Sequence, residues 1–145
     1  MDKQSYKKII ITKTTTKDAF DKICRIPEWW AKNFEGKSKE KGDVFTVVFK
    51  SGDMYKIKVA ELVPNGKIVW DVIDSYQGWN DHHTEWNGTT IIWEISSQKD
   101  QTEVQMMHVG LVPEFACFES CSQGWNYLVE KSLQKLLDED KGMPV

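Results

Sequence analysis

Cysteine is scarce in this sequence: Cys24, Cys117 and Cys121 are the three in 145 residues. An odd number cannot pair completely within one chain, and so few cannot staple a miniature scaffold. The expectation is three thiols packed as small apolar groups. The four prolines and nine glycines do not cluster into a linker, and no internal repeat breaks the chain, so residues 1–145 read as one domain. Positive charge is also short, with 19 Lys and Arg against 22 acids and a net charge of −3. No bulk field is available to neutralise a nucleic-acid backbone or an anionic membrane. The amino-terminal apolar run stops at three isoleucines, Ile9 to Ile11, too short for a signal peptide or a membrane span. A cytoplasmic location is therefore expected. P-loop, dinucleotide, nucleophile-elbow and zincin motifs are all missing, and no cofactor is expected.

What the sequence has in excess is tryptophan, seven in all. A large indole with one N–H to satisfy suggests an aromatic interior, a lined cavity or a binding surface. The local patterns decide among these. "IIIT" within about Tyr6 to Lys13 reads as a buried strand. Thr16 then looks like an N-cap, with Asp18 in the first turn and Phe20, Ile23 and Cys24 at helical spacing. Pro27 opens a second short helix in which Trp30 and Phe34, at i and i+4, share a face until Gly36 ends it. From Asp43 the period becomes two. "DVFTVVF", "MYKIKVAEL", "KIVWDVID", "TTIIWEIS" and "TEVQMMHV" alternate apolar and polar residues between turn signals, giving six antiparallel strands with the first. Between about Glu114 and Asp140 apolar residues recur every three to four positions, one amphipathic helix stopped by Gly142 and Pro144. Its first half carries small or weak helix formers, Ala116, Cys117, Ser120, Cys121, Ser122 and Gly124; its second half is leucine-rich. Small side chains there either leave room for a ligand or allow tight packing.

The order strand, two short helices, antiparallel strands and long terminal helix resembles the helix-grip fold of the START-related, polyketide-cyclase-like superfamily called SRPBCC. The segments "GDVFTVVF", "VAELVPNGKIVWDVID", "TEWNGTTIIWEIS", "HVGLVPEFACFESCSQGWNYLVEKSLQKLL" and "DKGMP" are similar to its branch of activators of heat-shock-protein ATPases. The resemblance runs over nearly the whole chain. It implies an α+β domain, a six-stranded twisted sheet wrapped around the terminal helix, and a deep apolar cavity between them for a lipid-like, aromatic or polyketide-like molecule. One scaffold of this kind serves carriers, sensors, cyclases and chaperone regulators, so the site must decide.

Strand parity places His108 with Val104 and Met106 on one face, where a neutral imidazole would orient a ligand or act as acid or base; packing is the competing reading, because no nucleophile or carboxylate partner is identifiable. Asp81, His82, His83 and Glu85 crowd one loop but lack ligand spacing, so no metal site is expected. Trp30, Trp70, Trp86, Trp93, His108, Phe118, Cys121 and Trp125 are the candidate ligand-binding residues, while Trp29 and Trp79 are expected to face a loop or solvent. The function expected is non-catalytic binding of a small hydrophobic, aromatic or lipid-like molecule. The alternatives are a chaperone-regulating protein-interaction module and a small cyclase or hydrolase-like enzyme using His108.

Overall fold

The computed structural model describes residues 4–145. Period-two patterning builds β1 (Tyr6–Thr12), β3 (Val44–Val48), β4 (Met54–Val63), β5 (Lys67–Tyr76), β6 (Thr90–Gln98) and β7 (Gln101–Val109). A further short strand, β2 (Phe34–Gly36), makes the sheet seven-stranded, in the order β1-β7-β6-β5-β4-β3-β2. All pairs are antiparallel, and β1 returns beside β7 with Tyr6 opposite His108 and Thr12 opposite Thr102. Register shifts between β4 and β5 at Lys56/Ile57 and Val59/Glu61 bend the sheet, as an extra residue on one strand of a pair does.

Helix α1 (Thr16–Ile23) starts one residue earlier than its sequence suggests: Thr15 is the cap, its hydroxyl accepting the Asp18 N–H at 3.0 Å, and Thr16 is already helical. Helix α2 (Ile26–Trp29) has Pro27 in its first turn and ends at Trp29. The expected continuation to Gly36 does not form. Beyond Trp30 the backbone bonds across the molecule instead: Val145 N donates to Trp30 O at 3.0 Å and Lys32 N to Val145 O at 2.9 Å. Phe34 then pairs with Val47 and stacks near Phe45, 5.8 Å between ring centres. Gly36 completes this edge at φ +100°, where a Cβ would stand 2.3 Å from Val44 O, so a glycine is needed for strand pairing and not only as a helix stop.

The terminal rod is contiguous: α3 (Phe118–Asn126), a π-helical stretch Tyr127–Leu133, and α4 (Gln134–Glu139). It begins four residues after Glu114 because the chain before it is held from outside. Ala116 N and Cys117 N donate to the Glu85 carboxylate, at 2.7 and 3.2 Å, which gives orphan N–H groups at the helix entrance an anionic partner. Ser132, within the π stretch, donates to Trp29 O at 2.6 Å and accepts Met143 N–H at 2.8 Å, locking the tail and α2 to the rod. The rod packs on the concave face of the sheet, where Trp29, Trp30, Trp70, Trp93 and Trp125 are each at most 1% exposed. Trp29 is therefore not at a loop surface. Its indole N–H reaches Ile23 O at 3.0 Å, so α1 supplies the polar partner that lets this ring be buried.

Candidate functional site

Strand β5 pairs with β6 only over Lys67 to Asp71. Past that point Val72 alone continues the contact, its N–H donating to Thr89 O and its carbonyl accepting the Gly88 N–H, both at 3.0 Å, and residues 77–89 form the loop between the two strands. Gln77 is the hub of that loop. Its N–H donates to His83 O, and His83 Nδ1 donates in return to Gln77 O, both at 2.9 Å. Asn80 Nδ2 donates to Gln77 Oε1 and Glu85 Oε1, each at 3.0 Å. Gln77 Nε2 donates to the Tyr55 hydroxyl at 2.9 Å and to Cys121 Sγ at 3.4 Å. Glu85 and the ring of His83 thus tie the loop to itself and to the terminal helix, and His/Cys/Asp/Glu groups that could hold a metal do not occur among the described residues.

Between this loop, β4 and α3 lies a cavity of about 190 Å³. Its floor is aromatic. Tyr55 and Trp86 stand 4.3 Å apart between ring centres, Trp86 and Trp125 5.9 Å, Trp125 and Trp30 5.2 Å, and Trp30 and Tyr55 6.5 Å, closing a circuit of four rings. One wall is α3 and the following turn, with Ser120, Cys121, Gly124 and Leu128; the rim is Phe49, Asp53 and Trp79. A Cβ added at Gly124 would meet nothing within 4 Å. Tight backbone approach is thus not what that glycine provides, and the small residues border open space. Burial pushes the Tyr55 hydroxyl well above the usual phenol range, so it stays neutral.

His108 lies behind this floor. Its ring is fully buried and both nitrogens are engaged: Trp125 Nε1 donates to Nδ1 at 3.0 Å, and Nε2 sits 2.8 Å from Thr89 Oγ1. An indole N–H can only donate, so Nδ1 is the acceptor and the neutral ring carries its proton on Nε2. Thr89 in turn donates to Trp86 O at 2.6 Å. The chain Trp125 to His108 to Thr89 to Trp86 fixes two rings of the floor. Burial drives the His108 pKa down to about 3, because a charged imidazolium there would lose water and confront the Trp125 donor.

Of the eight candidate residues, Trp30, Trp86, Cys121 and Trp125 border the cavity; Trp70, Trp93 and His108 are in the core behind it, and Phe118 packs on that core from a partly buried position. Phe49, Asp53, Tyr55 and Gln77 border it without having been singled out, and Trp79, expected at a loop or solvent, is 53% exposed and borders it as well. Tyr55 carried a signal, since it shares strand parity with Ile57 and Val59. Asp53 carried none, because an acid after Ser-Gly reads as a turn. Cys117 and Cys121 are not two free thiols: they are joined as a disulfide across one helical turn, Cα atoms 5.5 Å apart, and Cys24 alone is free. Spacing rules for zinc and thioredoxin-like motifs do not register an i, i+4 pair at a helix start. Trp86 Nε1 donates to Cys121 Sγ at 3.3 Å, so the bridge is part of the cavity wall. Alkylation in denaturant is expected to label one cysteine before reduction and three after; three labels in both would contradict the pairing.

A family profile described as Activator of Hsp90 ATPase homolog 1-like protein matches residues 18–138. The chain belongs to this family. Among solved structures, the Aha1 dimer from Colwellia psychrerythraea superposes with a TM-score of 0.77 at 20% identity, covering 96% of this chain and 99% of that one. A Staphylococcus saprophyticus protein gives 0.71 at 12% identity, with 97% and 96% covered. DynU16, from the dynemicin biosynthetic locus, gives 0.68 at 14% identity, covering 94% of this chain and 48% of its own. At these identities the likeness is one of fold, and it agrees with the α+β helix-grip architecture. No curated protein matches the sequence.

Proposed function

We propose that this Hsp90-activator-like domain binds a small hydrophobic or aromatic molecule, without catalysis, in the cavity between β4, the 77–89 loop and α3. The observation that carries the reading is a cavity of about 190 Å³ with an aromatic floor. An engineered apolar cavity of about 150 Å³ holds benzene, so one substituted ring fits here. A long lipid chain would need the walls to move. Affinity would come from apolar area removed from water, about 25 cal/mol per Å². An enzymatic role for His108 finds no support, since both ring nitrogens are engaged, the one hydroxyl beside it, Thr89, donates to Trp86 O, and neither residue borders the cavity.

Benzyl alcohol titrated into the protein is expected to give a saturable, one-to-one change in tryptophan fluorescence from Trp86 and Trp125. A change that stays linear in probe concentration would contradict the reading. The family description favours a second one, a chaperone-regulating interaction module, and Ile9 and Ile11, 45% and 42% exposed on edge strand β1, offer it an apolar contact. That role predicts faster ATP hydrolysis by purified Hsp90 on addition of the protein. It predicts no effect of ring-sized probes.

A further inference from the structure

The cavity has a single formal charge on its walls, and it is negative. Asp53 sits in the turn between β3 and β4, 6% exposed, with its backbone held by Phe49 N donating to Asp53 O at 2.9 Å. One carboxylate oxygen, Oδ2, accepts the Trp79 indole N–H at 2.6 Å. The other, Oδ1, is buried and has no hydrogen-bond partner among the described residues. An ionised carboxylate offers about four acceptor positions, and burying one oxygen unpaired costs free energy that a fold seldom leaves unrecovered. No Lys, Arg or His borders the cavity, and no ion pair among the described residues includes Asp53.

The remaining surroundings favour the same sign. Aromatic rings present electron-rich faces that attract cations, more strongly when water is excluded. Three of the four cavity tryptophans have the indole N–H that would otherwise suit an anion already committed: Trp86 to Cys121, Trp125 to His108 and Trp79 to Asp53. A ligand anion would meet the Asp53 carboxylate with no cationic side chain on the cavity walls to offset the repulsion.

Resting on the binding role proposed above, we infer that the ligand of this cavity is a small ammonium: an apolar, ring-sized body lying on the aromatic floor, with a protonated amine donating to the unpaired oxygen of Asp53. Trp79, 53% exposed and hydrogen-bonded to the same carboxylate, forms the rim beside it. Three probes of nearly one shape separate this from a purely apolar site: benzylammonium, benzyl alcohol and benzoate, titrated at neutral pH and low salt. Benzylammonium is expected to bind about 10-fold tighter than benzyl alcohol, with benzoate weakest. In Asp53→Asn, with folding checked by its thermal transition, the first two affinities are expected to converge. Equal affinities in the wild-type protein, or a preference unchanged in Asp53→Asn, would overturn the ammonium assignment while leaving the apolar binding role intact. Failure of all three probes to saturate would overturn both.

Discussion

His108→Ala is expected to lower the unfolding free energy by about 4 kcal/mol at neutral pH and to remove an acid-sensitive part of the protein's stability. The first effect follows from the substitution leaving the buried Trp125 N–H without its acceptor, about 1–3 kcal/mol, together with a void where the ring was. The second follows from linkage. In the unfolded chain the imidazole takes up a proton below about 6.5, whereas in the fold its pKa is about 3. The stabilising contribution is therefore fully present above pH 6.5 and is lost as pH falls toward 3. By pH 5 the loss from this one group is about 2 kcal/mol. Urea unfolding at pH 7 and pH 5 checks both: the wild type should lose that much more than His108→Ala between the two values. Equal losses would mean that His108 does not stay neutral in the fold, and a neutral substitution at pH 7 would mean that the Trp125–His108–Thr89 chain does not hold the floor.

Gly124→Phe is expected to abolish binding of a ring-sized probe, by at least about 100-fold, without loss of stability. Gly124 is in helical conformation, borders the cavity, and has open space where a Cβ would be. Helical glycine costs roughly 0.5–1 kcal/mol relative to other residues, so replacement tends to stabilise α3 while a large ring occupies the cavity mouth. The neighbouring small residue, Ser120, lies one turn away on the same face, so no bulky side chain there must be displaced. Titration of benzyl alcohol into the variant, beside its urea unfolding curve, separates occlusion from misfolding. Unchanged affinity in a stable variant would place binding elsewhere.

Much of the architecture is legible in the sequence because it depends on periodicity. The alternation in "MYKIKVAEL" and "TTIIWEIS" and the three-to-four spacing from Phe118 to Leu137 each have one satisfactory folding solution. Failures occur where one spacing suits two structures. Trp30 and Phe34 are four apart, as on a helix face, yet bonds from the distant Val145 and Val47 draw that segment out into β2. Such long-range partners leave no mark in a local window. The same limit explains Trp29, whose burial depends on Ile23 O, and the helix entrance, which waits on Glu85 some thirty residues upstream.

The candidate site divides in the same way. The aromatic floor follows from tryptophans on inward-facing positions, and small residues in the first half of the terminal helix mark its open side. The depth of His108 does not follow from parity alone, since the same face of β7 runs behind the floor as well as under it. Asp53 and Trp79 meet through a turn and a loop whose approach is set by β5 outrunning β6.

A crystal structure of the protein soaked with benzyl alcohol tests the central claim most directly. The account predicts one molecule enclosed by Trp86, Trp125 and the Ser120–Gly124 wall, with its oxygen toward Asp53. Density at another surface, or an unoccupied cavity at a concentration that saturates fluorescence, would contradict it.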